Sequence, residues 1–319
     1  MDENYDVVVI GGGAAGLSGA VALARSRRTV LVVDAGSPRN APAAGVHNYL
    51  GREGARPADL VADGRAELAG YGGRVVSGVV SSARQDQGRF RVTLDDGREV
   101  SARRLLVATG LVDELPALPG VAERWGRDVL HCPYCHGWEV RNQPIGIVAT
   151  GPNAVHQALL FRQLSDDVVF FRHTGPELPP EQAEQLAALG IRVVEGEVAA
   201  VEVTDDRLSG VRLASGEVVP RAAVVVAPRF TARAGVLESL GLRAQDQEMG
   251  GAVVGSAVPA DPTGATAVPG VWVAGNVSDL SAQVVASAAA GLRAGAMINA
   301  DLITEDARRA VAERRSVTA

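Results

Sequence analysis

After a polar start the chain turns apolar at Tyr5, and Val7, Val8, Val9 and Ile10 form an unbroken, mostly β-branched run closed by three glycines. With no polar position alternating in it, such a run predicts a strand buried on both faces of a parallel sheet. Residues 17–25 carry apolar positions at helical spacing in an Ala-rich stretch, and residues 29–33 form a second apolar strand that ends in Asp34. Between Arg74 and Val107 the period falls to two in short runs such as residues 90–94, with an Asp96-Gly97 turn. This predicts a small sheet excursion that returns through Leu105-Leu106-Val107 to Ala108-Thr109-Gly110. The Pro-rich stretch 115–120 then reads as a hinge between domains. A second strand, turn, helix and strand follow at residues 145–148, 149–153, 154–164 and 168–171. Residues 270–277 are another strand running into a glycine turn, and an Ala-rich helix is predicted over about 281–303. From Glu305 onward charge is dense and large apolar residues are few, which predicts a solvated helix end and a frayed tail.

Gly11, Gly13 and Gly16 have G-x-G-x-x-G spacing, and Asp34 lies 18 residues beyond Gly16. The spacing alone is weak evidence, since a solvated glycine-rich turn would also satisfy it. Placed between a buried strand and a helix, with an acid closing the next strand, it predicts a dinucleotide site. The first glycine permits the tight turn, the second lets backbone approach a pyrophosphate, and the third lets helix and strand pack closely. The helix N-terminus attracts the phosphate charge, and Asp34 would accept hydrogen bonds from a ribose. The repeat of this unit from Ile145 onward gives the fold class: α/β, with two Rossmann-like domains. The second is inserted into the first, with residues 1–114 and 248–319 forming the outer domain and 115–247 the inserted one.

The 319 residues are enough for two cores, and 47% hydrophobic with 21% charged residues is ordinary for a folded protein. No run of about 18 apolar residues could span a bilayer. A net charge of −6 argues against nucleic acid and acidic membranes as partners. Asp2 and Glu3 lead almost directly into a strand, unlike a secretory leader, so a cytoplasmic location is expected. All 31 basic residues are arginine, which carries no functional weight.

The only cysteines are Cys132 and Cys135, in Cys-Pro-Tyr-Cys flanked by His131 and His136. A zinc site would need four ligands converging on one centre, and side chains adjacent in sequence rarely do so, so no metal is expected. Two inert buried thiols remain an alternative. A reversible dithiol/disulfide is the favoured assignment for a C-x-x-C beside nucleotide-binding units.

The Gly11–Gly16 unit, Ala108-Thr109-Gly110, Trp125-Gly126 leading into C-x-x-C, the second βαβ unit and the Val-Pro-Gly-Val-x-x-Ala-Gly segment ending at Gly275 occur in one order. In that order and over nearly the whole chain, the sequence resembles the low-molecular-weight thioredoxin reductases. The resemblance implies FAD held by Gly11, Gly13, Ala14, Ala15 and Gly16, by Asp34, Ala35 and Asn40, and by Ala108, Thr109 and Gly110. From the late segment it adds Gly275, Asn276, Gln283 and Val284, and Asn48 looks like the family's asparagine near the flavin ring. It further implies that Cys135 exchanges electrons with the flavin, that Cys132 meets the substrate, and that the protein is a homodimer.

Three departures bear on function. His136 stands where the family has an acid after the second cysteine, and imidazole can take a thiol proton at neutral pH. Its alternative is a histidine satisfied by backbone hydrogen bonds. Asn276 replaces an aspartate and keeps an acceptor oxygen. In the second glycine loop Ala149 replaces the first glycine and Pro152 lacks an N–H, while one arginine, Arg172 before His173, remains of the family's pair for the 2′-phosphate. Use of NADPH is therefore in doubt. This pattern looks like the dithiol oxidases that close disulfides in gliotoxin and holomycin. It implies oxidation of a small-molecule dithiol through Cys132, Cys135, His136 and FAD, with O₂ reduced to hydrogen peroxide. The alternatives are an NADPH-dependent thioredoxin reductase and a redox-sensing flavoprotein.

Overall fold

The computed structural model describes residues 3–317; Met1, Asp2, Thr318 and Ala319 lie outside the described residues, and with them the part of the leader reading that rests on Asp2. Seven strands form the first sheet. The parallel strands Arg74–Ser77, Val30–Asp34, Glu3–Ile10 and Glu99–Val107 lie side by side in that order. Beyond them, Glu99–Val107 pairs along its first half with the antiparallel hairpin strand Arg89–Leu94 and along its second half with Val271–Val273. Strand order reverses at Glu3–Ile10, whose Ile10 is in register with Val33 on one side and Val107 on the other. That reversal is the switch point at which open α/β sheets form their clefts.

Both faces of this sheet are covered, which is why its strands read as continuous apolar runs. Val8, Leu31, Leu105 and Phe90 pack on one face, and Val9, Val32, Leu106 and Ile298 on the other. The helix Ala14–Arg25 crosses the second face against the helix Val284–Val317. Glycine makes that crossing possible, since a Cβ on Gly291 would lie 1.9 Å from the Ala15 carbonyl oxygen. The C-terminal helix runs to Val317, well past residue 303. Arg103 holds its Glu305 and Asp306 at 2.6 Å each, Arg28 holds Asp306 at 2.7 Å, and the exposed end carries basic Arg314 and Arg315 in its last turn. Ion pairing and a favourable helix dipole thus keep helical a segment that has little apolar face.

A second parallel sheet has the order Arg192–Val194, Val168–Phe171, Ile145–Val148, Ala223–Val225 and Val129–Leu130, with its own core around Phe161, Phe170 and Phe171. A further four-stranded sheet has the order Gln245–Met249, Ala252–Ala257, Arg229–Ala232 and Leu111–Glu114. Position 247 falls inside one of its strands, and Arg229–Ala232 pairs antiparallel with Leu111–Glu114. Among the described residues no helix is long and apolar enough to cross a membrane.

Candidate functional site

The carboxyl ends of the first three parallel strands open on a cleft of about 1950 Å³ whose wall includes Gly11, Gly13 and Asp34 together with Cys132, Cys135 and His136. Gly11 has φ +103°, which puts the chain into a turn that an L side chain would strain. A Cβ on Gly16 would stand 1.9 Å from the Gly11 carbonyl oxygen, so Gly16 is the point of helix–strand contact; at Gly13 the same position is open space. The first N–H groups of the helix Ala14–Arg25 have no partner within the helix and face that opening. Asp34 accepts from the Gly12 N–H at 3.0 Å and from Arg65 at 2.6 Å, which fixes its carboxylate at the lip. An open glycine, unpaired amides and a fixed acid are what a pyrophosphate and its ribose require, so this end fits the dinucleotide half of FAD.

Ala14, Ala15, Ala35, Asn40, Ala108, Thr109 and Gly110 line the same cleft, as do Gly275, Asn276, Gln283 and Val284 from the late segment. Gly16 and Asn48 do not line it. Asn48 has φ +58°, and its Nδ2 donates to the Tyr134 carbonyl oxygen at 2.6 Å. Asn276 donates from Nδ2 to the carbonyls of Asp279 and Ala282, both at 2.9 Å, while its Oδ1 accepts from Arg39 at 3.2 Å. An aspartate there would set a carboxylate against two carbonyl oxygens, so asparagine suits this turn.

Cys132 and Cys135 are free thiols at either end of the first turn of the short helix Pro133–His136. The Cys132 thiol is lowered to about 7, first by the hydrogen bond from Cys135, then by the backbone N–H groups of Cys135 and Tyr134 and by the Arg39 charge, against the cost of burial. Cys135 is pushed up by the same bond to Cys132 and by burial, so the first proton leaves the pair from Cys132. The His136 Nε2 is buried with no hydrogen-bond partner, and burial holds this imidazole below its ordinary value, with His47 acting in the same sense and Glu139 against. Burial thus favours the neutral imidazole at His136. His131 is placed differently: its Nδ1 faces the Val226 carbonyl at 3.2 Å and its ring stands edge-on to Phe230 with centroids 5.1 Å apart.

Four further residues line the cleft without a sequence signal of their own: Arg39, His47, Asp113 and Phe230. His47 lies next to Asn48 and binds Glu53 at 2.6 Å through Nδ1, with Glu139 at 3.5 Å from Nε2. Arg39 and Asp113 are 74 positions apart and meet only in the fold.

At the second glycine loop, Pro152, Asn153 and His156 also reach the cleft, and the hairpin joining Gln245–Met249 to Ala252–Ala257 leans over them. Asn153 Nδ2 lies 2.6 Å from Met249 Sδ. Arg172 is paired with the Glu195 carboxylate and donates to the Gly175 carbonyl at 3.2 Å. His173 accepts the Val198 N–H at 3.0 Å. Arg172 can therefore meet a phosphate only by giving up its pair with Glu195, and His173 Nδ1 is already engaged.

The chain is similar to several known proteins. The structure titled HlmI is 47% identical, covers 99% of this chain and 98% of its own, and superposes with a TM-score of 0.91. The thioredoxin reductase tcpT of Claviceps purpurea is 29% identical over 311 residues, 94% of this chain and 95% of its own length. A probable thioredoxin reductase of Arthroderma benhamiae is 33% identical over 177 residues, 53% of this chain, and the match spans only 44% of that longer protein. Residues 5–295 match the pyridine nucleotide-disulphide oxidoreductase family, and with a dinucleotide cleft and a C-x-x-C in one wall this chain belongs to that family of FAD-binding oxidoreductases.

Proposed function

We propose that the protein is a dithiol oxidase that closes an intramolecular disulfide in a small molecule. The observation that carries this is the second glycine loop, where the one remaining arginine is paired with Glu195 and the loop is overhung by Met249. With hydride entry from NADPH obstructed, electrons enter from a dithiol instead. Gly11, Gly13 and Asp34 would hold the cofactor's pyrophosphate and ribose, within an outer domain built from both chain ends whose return crossing lies just before Arg229.

In the substrate half-reaction, the imidazole of His136, a residue that lines the cleft, takes the proton of one substrate thiol. The resulting thiolate attacks Cys132 Sγ, the Cys132–Cys135 bond breaks, and Cys135 leaves with the electron pair. The second substrate thiolate then attacks the substrate sulfur, forms the product disulfide and releases Cys132. A thiol near 7 is a good leaving group, which favours this second displacement. The substrate has lost two electrons and two protons, and the Cys pair has gained them. FAD bound in the cleft would accept that electron pair from the Cys pair and deliver it to O₂, giving hydrogen peroxide.

The curated relatives named thioredoxin reductases favour a second reading, in which NADPH supplies the electrons and thioredoxin receives them. Anaerobic mixing of the holoenzyme with NADPH, and separately with small dithiols, decides between them. Bleaching of the flavin by the dithiol, followed by peroxide on admitting air, is expected; fast saturable bleaching by NADPH alone would establish the reductase.

A further inference from the structure

The Arg39 guanidinium is fixed on three sides. Its Nε and Nη2 donate to the two oxygens of Asp113 at 2.8 and 2.6 Å, Nη1 donates to Asn276 Oδ1 at 3.2 Å, and its face lies over Phe230 at 5.1 Å. Phe230 in turn carries the ring of His131, the residue before Cys132. A single aromatic ring therefore connects this cation to the residue before Cys132, and Arg39, Asp113, Phe230, Cys132 and Cys135 all line the same cleft. The Asp113 side chain is 9% exposed and that of Arg39 30%, so water screens the pair less than it would a fully exposed one.

We propose that Arg39 is a positioning residue for the Cys pair: a fixed cation that stabilises the Cys132 thiolate, with Asp113 limiting how strongly it does so. The proposal rests on Cys132 being the thiol that meets substrate. The alternative is a clamp with no electrical role, joining residues 37–40 to the strand Leu111–Glu114. The two differ in sign. A clamp is broken equally by removing either partner, whereas a tuned charge responds to the two removals in opposite directions. The direction of the Arg39 charge on both thiols, downward, agrees with the second. The other groups able to titrate around Cys132 are Tyr134, Cys135 and His136 on its own turn, His131 before it, and His47, Glu53 and Glu139 from the neighbouring segments. All of them stay in place in every variant below except Cys135.

The test uses holoenzyme carrying Cys135→Ser, which leaves Cys132 as the only cysteine and replaces its hydrogen-bond donor by a hydroxyl. The pH profile of its alkylation by iodoacetamide, an uncharged reagent, reports the thiolate without substrate, NADPH or O₂. Adding Arg39→Met should move the midpoint up by about half a pH unit, which removes about half the thiolate near pH 7. Adding Asp113→Asn should move it down, and Arg39→Lys should restore most of the effect of the charge. Shifts in the same direction for Arg39→Met and Asp113→Asn, or none, overturn the proposal. If Arg39→Met does not fold with its flavin, the Asp113→Asn profile decides alone: a downward midpoint supports the charge role, and an unchanged or raised one ends it. Because no turnover is measured, loss of dithiol oxidase activity elsewhere leaves this result standing.

Discussion

Asn48 Nδ2 reaches the carbonyl oxygen of Tyr134 at 2.6 Å and so ties the loop after the first glycine unit to the middle of Cys-Pro-Tyr-Cys. The two residues are 86 positions apart, and the bond joins the segment that precedes the helix Pro57–Gly70 to the helix that carries the thiols. Asn48 has φ +58°, a conformation that asparagine and glycine tolerate and alanine does not. Asn48→Gly is therefore the clean deletion, since it removes the amide and spares the backbone. One hydrogen bond of about 0.5–1.5 kcal/mol corresponds to a roughly two- to tenfold fall in dithiol turnover if it holds the thiols in their working position. Flavin content should not change, because Asn48 does not line the cleft. Unchanged turnover would show that the clasp is not needed for catalysis.

The two histidines beside the cysteines should separate by pH. His136 has a buried, unpartnered Nε2 and is held neutral by burial, so its loss removes a base. General-base contributions are typically about 10²–10⁴-fold, so His136→Ala should slow dithiol oxidation at least about tenfold near neutral pH. The deficit should shrink as pH rises and thiolate forms unaided, and His136→Asp should keep part of the rate. His131 is embedded between the Val226 carbonyl and Phe230, so His131→Ala should instead lower stability with a pH-independent effect on rate. Equal, pH-independent losses at both positions would leave His136 without a role as base.

Much of this fold was legible because its strands are buried on both faces. Val7 to Ile10 and Ile145 to Val148 read as buried parallel strands, and each is followed by a turn leading into a helix. The cysteine pair and His136 announced themselves by residue type. Arg39 and Asp113 did not, since no local period links residues 74 positions apart, and arginine is too common in this chain to single one out. Asn48 was visible as a residue, yet its partner is a backbone carbonyl that no side-chain pattern reports. Beyond residue 303 a helix end was legible but its full length to Val317 was not, for a related reason: ion pairs to Arg28, Arg103 and Arg104 hold it, where apolar spacing would have been the signal.

Those ion pairs give the fold an acid limit. Asp306 is lowered to about 2 by hydrogen bonds from Arg28 and Arg103; against the cost of burial, Glu305 is also held below its ordinary value by Arg103 and Arg104, and Asp6 by the Thr29 backbone N–H and then Arg103. A carboxylate with a depressed folded value stabilises the fold above its unfolded value, near pH 4. That contribution is lost as pH falls through the folded value, for Asp306 about 2. Arg103→Met should therefore lower the melting temperature near neutral pH, and the gap to wild type should narrow towards about pH 3. A gap independent of pH would assign Arg103 to packing alone.

The last expectation concerns the electron source. Arg172 is engaged by Glu195, so a 2′-phosphate approaching this strand end would meet a carboxylate as well as an already paired guanidinium. Glu195→Arg removes the repulsion, frees Arg172 and supplies a second cation at the same edge. Charge-assisted contacts of about 1.5–3 kcal/mol each correspond to a roughly ten- to hundredfold drop in the NADPH concentration needed for half-maximal flavin bleaching under anaerobic conditions. NADH lacks the 2′-phosphate, so its own half-maximal concentration should stay nearly unchanged, which distinguishes a recovered clamp from a loosened cleft. Dithiol bleaching should also be unaffected, because Glu195 does not line the cleft that holds the thiols. An equal gain with NADH and NADPH would mean that Glu195 hinders access in general, and no gain with either would place the obstruction at Pro152 and Met249.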